Sequence, residues 1–338
     1  SVATVDTSGI ITGVSAGSAT ITYEVTNNNG CSATQSAVIN VNAGVTASIS
    51  TTTATTFCQG GSVVLTASAG SSYLWSNGAQ TQAITVDASG SFYVTVTSAS
   101  GCSATSTATA VTVNPLPVAT INASASAVCV GTSATLTASA GSSYLWSTGA
   151  TTAAITVTPT STTSYSVTVT NANGCSATSA VTTIGVNPLP VVAAGNDATI
   201  CEGSSTSLVA SGAATYVWSP STGLSATNTA SVTANPSATT TYTVTGTDAN
   251  GCVNTDQVVV TVSPLPTASI TASAATICVG SSTTLTANGG TGFTYLWSNG
   301  ATTQAITVSP SATTTYTVSV TNAGGCTSAS VASQVITV

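Results

Sequence analysis

Residues 129–175 read CVGTSATLTASAGSSYLWSTGATTAAITVTPTSTTSYSVTVTNANGC. Apolar residues alternate there in short runs: Ala134, Leu136 and Ala138, then Tyr144 and Trp146, then Ile155 and Val157, then Tyr165, Val167 and Val169. A period of two marks strands with one buried face, and the Gly, Ser, Asn and Thr clusters between the runs mark turns. No segment carries a helical period with caps over ten residues. Around this stretch, residues 117–189 hold seven or so short strands in about 70 residues, the pattern of a β-sandwich.

The same landmarks recur along the chain. The tryptophans stand in Tyr73-Leu74-Trp75-Ser76, Tyr144-Leu145-Trp146-Ser147, Tyr216-Val217-Trp218-Ser219 and Tyr295-Leu296-Trp297-Ser298, at spacings of 71, 72 and 79. A Gly-Cys pair recurs at Cys31, Cys102, Cys175, Cys252 and Cys326, and a second cysteine series at Cys58, Cys129, Cys201 and Cys278. Linkers repeat as Asn114-Pro115-Leu116-Pro117, Asn187-Pro188-Leu189-Pro190 and Ser263-Pro264-Leu265-Pro266. Fixed periods mean an array. The chain parses as a partial domain over 1–43 and whole repeats over 44–116, 117–189, 190–265 and 266–338. The expected fold is all-β, a tandem array of immunoglobulin-like sandwiches forming an extended rod, with Pro-rich joints stiffening it. The first 43 residues lack a tryptophan strand and a first cysteine, so they read as a half-sandwich with open strand edges. It is completed either by residues outside this window or by a strand donated in trans.

Composition excludes much. The 338 residues contain no Lys, Arg or His, and only seven acids: Asp6, Glu24, Asp87, Asp197, Glu202, Asp248 and Asp256. Nucleic-acid binding lacks its cations, and histidine or Schiff-base catalysis lacks its groups. No apolar run reaches membrane-spanning length, so no membrane insertion is expected, and no leader is read at the start. About 150 residues, what remains after the apolar, Gly, Pro and acidic ones, are Ser, Thr, Asn or Gln. The surface is therefore hydroxyl-rich and nearly neutral, with little charge repulsion against lateral bundling. Trypsin-like proteases have no site to cut.

In each repeat the tryptophan is read as the large core residue rather than a sugar platform. Tyr165, Tyr242 and Tyr316 open the next-to-last strand, ten residues before the Gly-Cys turn, where an immunoglobulin-like corner places a tyrosine hydroxyl. Phe92 and Ile21 hold that position in the first two repeats and lack the hydroxyl.

Nine cysteines without histidine, and without close cysteine pairs, read as disulfides formed in an oxidising compartment rather than a metal site. Two pairings are open. One closes each repeat: Cys58–Cys102, Cys129–Cys175, Cys201–Cys252 and Cys278–Cys326, with Cys31 left over. The other links neighbours: Cys58–Cys175, Cys129–Cys252 and Cys201–Cys326, with Cys31, Cys102 and Cys278 left to pair outside the window or with the partial domain. The choice turns on how many strands lie between tryptophan and tyrosine. Two strands put the cysteines at opposite poles and favour the ladder; one strand favours pairing within repeats.

The motifs CVGSSTTLTA and YLWSNGATTQAITVSPSATTTYTVSVTNAGGC in residues 278–326 resemble the immunoglobulin-like or PKD-like repeats of large secreted surface proteins of Bacteroidota. VATVDTSGIITGVSAGSATITY in the first 43 residues resembles the second half of a group 2 bacterial immunoglobulin-like domain. The resemblance implies type IX secretion, a cell-surface location and a role as an adhesin, gliding adhesin, stalk or filament; the C-terminal sorting domain of such proteins is not in this sequence.

The leading functional expectation is an extracellular structural segment of a filament or stalk whose partners are copies of itself or neighbouring repeats. The alternative is an adhesin module for surface glycans, with loop residues such as Asn27 to Asn29 and Gln80 as contacts. No enzyme, catalytic residue, cofactor or required metal is expected. Asp197, Glu202, Asp248 and Asp256 are the one acid grouping, and oxygen ligands of this kind suit a weak Ca²⁺ site, but the dense acidic signature of calcium-rigidified junctions is missing. Asp6-Thr7-Ser8 loosely matches an O-glycosylation acceptor.

Overall fold

The computed structural model describes residues 1–338, and it is all-β: short strands joined by turns, with no helix. The chain divides into two compact units. One is residues 1–124 with 135–157 and 164–183; the other is 125–134 with 158–163 and 184–338.

The second unit contains the fullest view of a single repeat, residues 190–265. A four-stranded sheet runs in the order Ala198–Cys201, Val253–Ser263, Thr240–Thr247, Thr215–Ser219. Strands Thr206–Val209 and Ser231–Ala234 pair with each other as the second layer. Alternation decides what lies between the layers: Tyr242, Val244, Val258 and Val260 from the first sheet meet Leu208 and Val232 from the second, around Trp218. The intervening Thr241, Thr243 and Thr245 face away, as a two-residue period requires. Residues 266–338 repeat the plan, with Thr283–Ala287 between Ile270–Ala272 and Ala305–Val308 facing Trp297, Val318 and Val320.

In the first unit, residues 44–116 form the same sandwich. Ile49–Thr51, Val63–Ala67 and Ala83–Val86 make one layer. Opposite them lie Thr56–Cys58 beside Thr109–Asn114, and Ser72–Trp75 beside Val94–Thr97. The 117–189 repeat contributes to both units. Its Ala134, Leu136, Trp146, Val157, Tyr165, Val167 and Val169 are buried, while Ala138, Tyr144 and Ile155 are half-buried.

A chain without cations still satisfies its surface. Threonine hydroxyls on the outer faces bond across strands: Thr95 with Thr105, Thr168 with Thr178, Thr170 with Ser176, Thr321 with Thr327. Each such pair contributes a few tenths of a kcal/mol up to about 1 kcal/mol. No buried side-chain nitrogen or oxygen lacks a partner.

Residues 1–43 form β1 (Ala3–Val5), β2 (Ile11–Gly13), β3 (Gly17–Thr26) and β4 (Ser32–Val41). β1 pairs with β2, and β3 with β4, each as a two-stranded antiparallel sheet. No residue of this segment is buried.

Candidate functional site: the disulfide junctions

Each repeat ends in a closing hairpin whose turn carries the Gly-Cys pair. In the turn at 171–175, the Asn171 side-chain carbonyl accepts the N–H groups of Asn173 and Cys175, both at 3.0 Å. The glycine before the cysteine has a left-handed backbone (Gly174 φ +79°), which an L side chain rarely adopts. Asn27, Asp248 and Asn322 build the same turn around Cys31, Cys252 and Cys326. Ser98 substitutes for the Asn before Cys102, its hydroxyl accepting the Cys102 N–H at 3.2 Å.

In 44–116, 117–189 and 190–265 the first cysteine ends a short strand that pairs parallel with the last strand; in 266–338 a single parallel bridge, Thr276 with Thr337, stands there. Cys58 lies beside Asn114, Cys129 beside Asn187 and Cys201 beside Ser263. That parallel pairing carries the first cysteine to the end of the last strand, while the Gly-Cys turn sits at its beginning. In 190–265 the last strand is eleven residues long, so Cys201 and Cys252 stand about 35 Å apart. A disulfide between them is impossible.

The sulfurs bond between neighbours instead: Cys58–Cys175, Cys129–Cys252 and Cys201–Cys326, with Cα–Cα separations of 5.6, 5.6 and 5.5 Å. The four within-repeat pairs are not formed, and Cys31, Cys102 and Cys278 are free thiols. The strand-counting criterion is corrected here. Only one strand, Ser231–Ala234 in 190–265 or Ala305–Val308 in 266–338, lies between tryptophan and tyrosine, and yet neighbours are linked. After Trp297 the chain turns at Asn299-Gly300, with Gly300 N–H to Trp297 O and Trp297 N–H to Ala301 O. Residues 301–304 then run back without counting as a strand.

Side chains clamp the linkers at the same places. Asn171 Nδ2 donates to Pro115 O (2.9 Å) and Asn322 Nδ2 to Pro264 O (2.9 Å). Asp248 has no N–H to offer, and Asn254 Nδ2 supplies the bond to Pro190 O at 3.0 Å. Asn171→Asp should therefore keep the turn and lose the clamp, lowering the stability measured by denaturant titration by about 1 kcal/mol. Asn171→Ala, which also loses both turn acceptors, should cost more.

The aromatics are core residues. All four tryptophans are 2% exposed, and each indole Nε1 donates to a backbone carbonyl: Thr81, Thr152, Thr229 and Thr303. They present no face to a sugar. Tyr165 and Tyr242 are buried and Tyr316 half-buried. The corner expectation needs correction: the Tyr242 hydroxyl donates to Thr222 O (2.7 Å), twenty residues upstream in the loop after the tryptophan strand, and the Tyr165 and Tyr316 hydroxyls make no corner bond. Burial pushes the Tyr242 hydroxyl up in pKa. The unpredicted clamp belongs to the other tyrosines. Tyr73 and Tyr144 each close a loop three residues back through both backbone groups of Gly70 and Gly141, and Tyr216 does so on Ala213. At Gly70 and Gly141 a Cβ would collide with Val96 or Val169 at 2.3–2.4 Å. The repeated G-S-S-Y-L-W string is the sequence signal for this clamp.

The acids form no metal cluster. Asp197 accepts the Val259 N–H and Asp256 the Ala194 N–H, both at 2.8 Å. Glu202 and Asp248 sit at opposite ends of the repeat, their backbones bonded to Ser263 and Cys252. The Ala194 N–H, and then that of Gln257, holds the Asp256 carboxyl below its ordinary range; the Ser8 hydroxyl and the Ile10 N–H do the same for Asp6. A carboxylate depressed in the folded state contributes stability above its unfolded pKa and loses it as pH falls through the folded value. With no histidine, the melting temperature of 190–265 should stay flat from about pH 5 to 8 and drop only below the ordinary carboxylate range. Asp256→Asn should flatten part of that acid limb. Gln80 and Asn27 to Asn29 are exposed.

A shallow open groove of about 470 Å³ lies where the Pro264-Leu265-Pro266 linker enters 266–338, lined by Leu265, Pro266, Thr267, Asn288, Gly289 and Phe293 among others, with no charged group.

No protein-family model matches the chain, and no curated protein sequence is detectably similar to it. Solved structures to which the chain is similar include the N-terminal eight Ig domains of Down Syndrome Cell Adhesion Molecule isoform 1.30.30 (13% identity, TM-score 0.32), matched over 99% of this chain. The chain spans 60% of the length of that structure. A Ca²⁺-stabilized adhesin that helps an Antarctic bacterium bind ice is similar at 15% identity and TM-score 0.32, over 87% of this chain and 99% of that one. The N-terminal four Ig domains of Dscam1 isoform 8.4 are similar at 12% identity and TM-score 0.22, over 82% and 95%.

Proposed function

We propose that this chain is an extracellular structural segment of a cell-surface filament or adhesin stalk, of the kind the Bacteroidota resemblance implies. The observation that carries the reading is the ladder of neighbour-to-neighbour disulfides. Bonds that tie the end of one repeat's last strand to the closing-hairpin turn of the next stiffen joints and shorten the load path, and they do nothing for a binding pocket or an active centre. Three disulfides support an extracellular, oxidising setting. The role is mechanical and non-enzymatic, with no cofactor or metal. Exposed Leu74, Leu145, Val217 and Leu296, one on each tryptophan strand, support lateral contacts between copies on a nearly uncharged surface. Imaging of the native material by cryo-electron microscopy tests this: ordered filaments or rods built of these repeats are expected, and isolated globular particles would overturn it. Rods should bundle independently of ionic strength.

A second reading, a glycan-binding adhesin module, rests on the groove beside Phe293, where an aromatic ring and Asn288 line an uncharged hollow. A glycan array probed with the full chain, compared with Phe293→Ala, checks it: binding that the substitution abolishes is required.

A further inference from the structure

Strand pairings within residues 1–43 match those within 222–264 at a constant offset of 221. The bridge Ala3↔Gly13 corresponds to Leu224↔Ala234, the pair Ile21↔Ala37 to Tyr242↔Val258, and Thr26↔Ser32 to Thr247↔Val253. The turn built by Asn27 around Cys31 corresponds to that of Asp248 around Cys252. What has no counterpart is residues 190–221, the cysteine strand, the next strand and the tryptophan strand.

In the 190–265 repeat those residues supply half of the core: Val192, Ala194, Ile200, Leu208, Ala210 and Trp218. Without them the matching positions of the first segment lie open. Tyr23, which corresponds to fully buried Val244, is 69% exposed; Ile11, which corresponds to Val232 at 3%, is 40% exposed. The apolar side of the β3–β4 hairpin and both of its outer edges are unpaired, and a two-stranded sheet is marginal alone.

A second observation says what belongs there. In three repeats the cysteine strand lies parallel along the last strand and ends beside Asn114, Asn187 or Ser263. Its cysteine always bonds the turn cysteine of the following repeat. On β4 the corresponding position is Asn42, whose Nδ2 donates to Ser100 O at 3.4 Å. Ser100 lies two residues before Cys102, a half-buried free thiol and the turn cysteine of the repeat that follows.

We propose that the hairpin is the seat of a three-stranded segment of the 190–221 type. Its first strand runs parallel along β4 and ends in a cysteine that bonds Cys102. Its third strand, with a Tyr-x-Trp motif, pairs with β3 and covers Tyr23. In 190–265 the corresponding segment, about 30 residues, is continuous with the strands it covers, and the occupant is taken to be joined to β1 in the same way. The bond forms by exchange with a small disulfide such as oxidised glutathione: two protein thiols become one S–S bond, and the reagent leaves as two thiols.

The test is a chain with residues 190–221 fused ahead of Ser1, refolded in a glutathione buffer beside the starting chain. Mass mapping should find Cys102 bonded to the added cysteine, and free thiols should fall from three to two. Amide exchange in β3 and β4 should slow about tenfold or more, as a frayed hairpin joins a core. The same fusion with its added cysteine replaced by Ser should keep the slowed exchange and leave Cys102 free. A fusion in which Cys102 stays reduced and exchange is unchanged overturns the proposal. So does a separately added 190–221 peptide that bonds Cys102 while the fused copy does not, because the segment would then come from another molecule.

Discussion

Pulled from its two ends, the oxidised chain will extend to about 330 Å and stop, whereas the reduced chain will reach about 1,150 Å. The difference follows from the covalent path alone. Force entering at Ser1 crosses from Cys58 to Cys175 and from Cys201 to Cys326, so only residues 1–58, 175–201 and 326–338 can be drawn out, about 98 of the 338. The long stretches between are short-circuited, even if their sandwiches unfold. Within-repeat bonds would bypass different stretches and give a longer limit, so single-molecule extension also discriminates the two pairings. An oxidised extension near the reduced limit would show that the ladder does not carry load.

Replacing Trp218 by Ala will cost the 190–265 repeat about 3–5 kcal/mol, enough to remove most of the stability of a domain this small. Trp218 is the largest member of a core of twelve buried residues and touches both layers. Its loss leaves a cavity and strips the Thr229 carbonyl of the indole N–H it accepts at 3.0 Å. Hydrogen exchange should show 190–265 opening while the fluorescence of Trp75 and Trp146, in cores that do not contain the substitution, keeps its unfolding midpoint. A variant that unfolds every repeat together would mean the ladder couples cores as well as joints.

Much of this was legible in the residues. The period-two runs around Trp146 name the strands, and buried Leu136, Val157, Val167 and Val169 lie where alternation puts them. The repeat spacing marks equivalent cysteines, and the Gly-Cys pair marks a turn that needs a left-handed residue. Two things were not legible. Strand counting failed for the disulfides because a return path of a few residues after Asn299-Gly300 carries the chain from pole to pole without forming a ladder. The tyrosine corner failed because a hydroxyl bonds whichever carbonyl the loop brings near, and in 190–265 that is Thr222.

Local pattern determined the strands, the turns and the nearly uncharged surface, because these depend on side-chain type and spacing along a few residues. Which cysteines meet was decided only in three dimensions. The short strand ending at Cys58, Cys129 or Cys201 pairs parallel with the last strand of its repeat, and parallel pairing joins residues 56–62 positions apart whose contact no local spacing encodes. That one choice of direction moves each first cysteine to the far end of its sandwich, out of reach of its own turn and against the turn of the next.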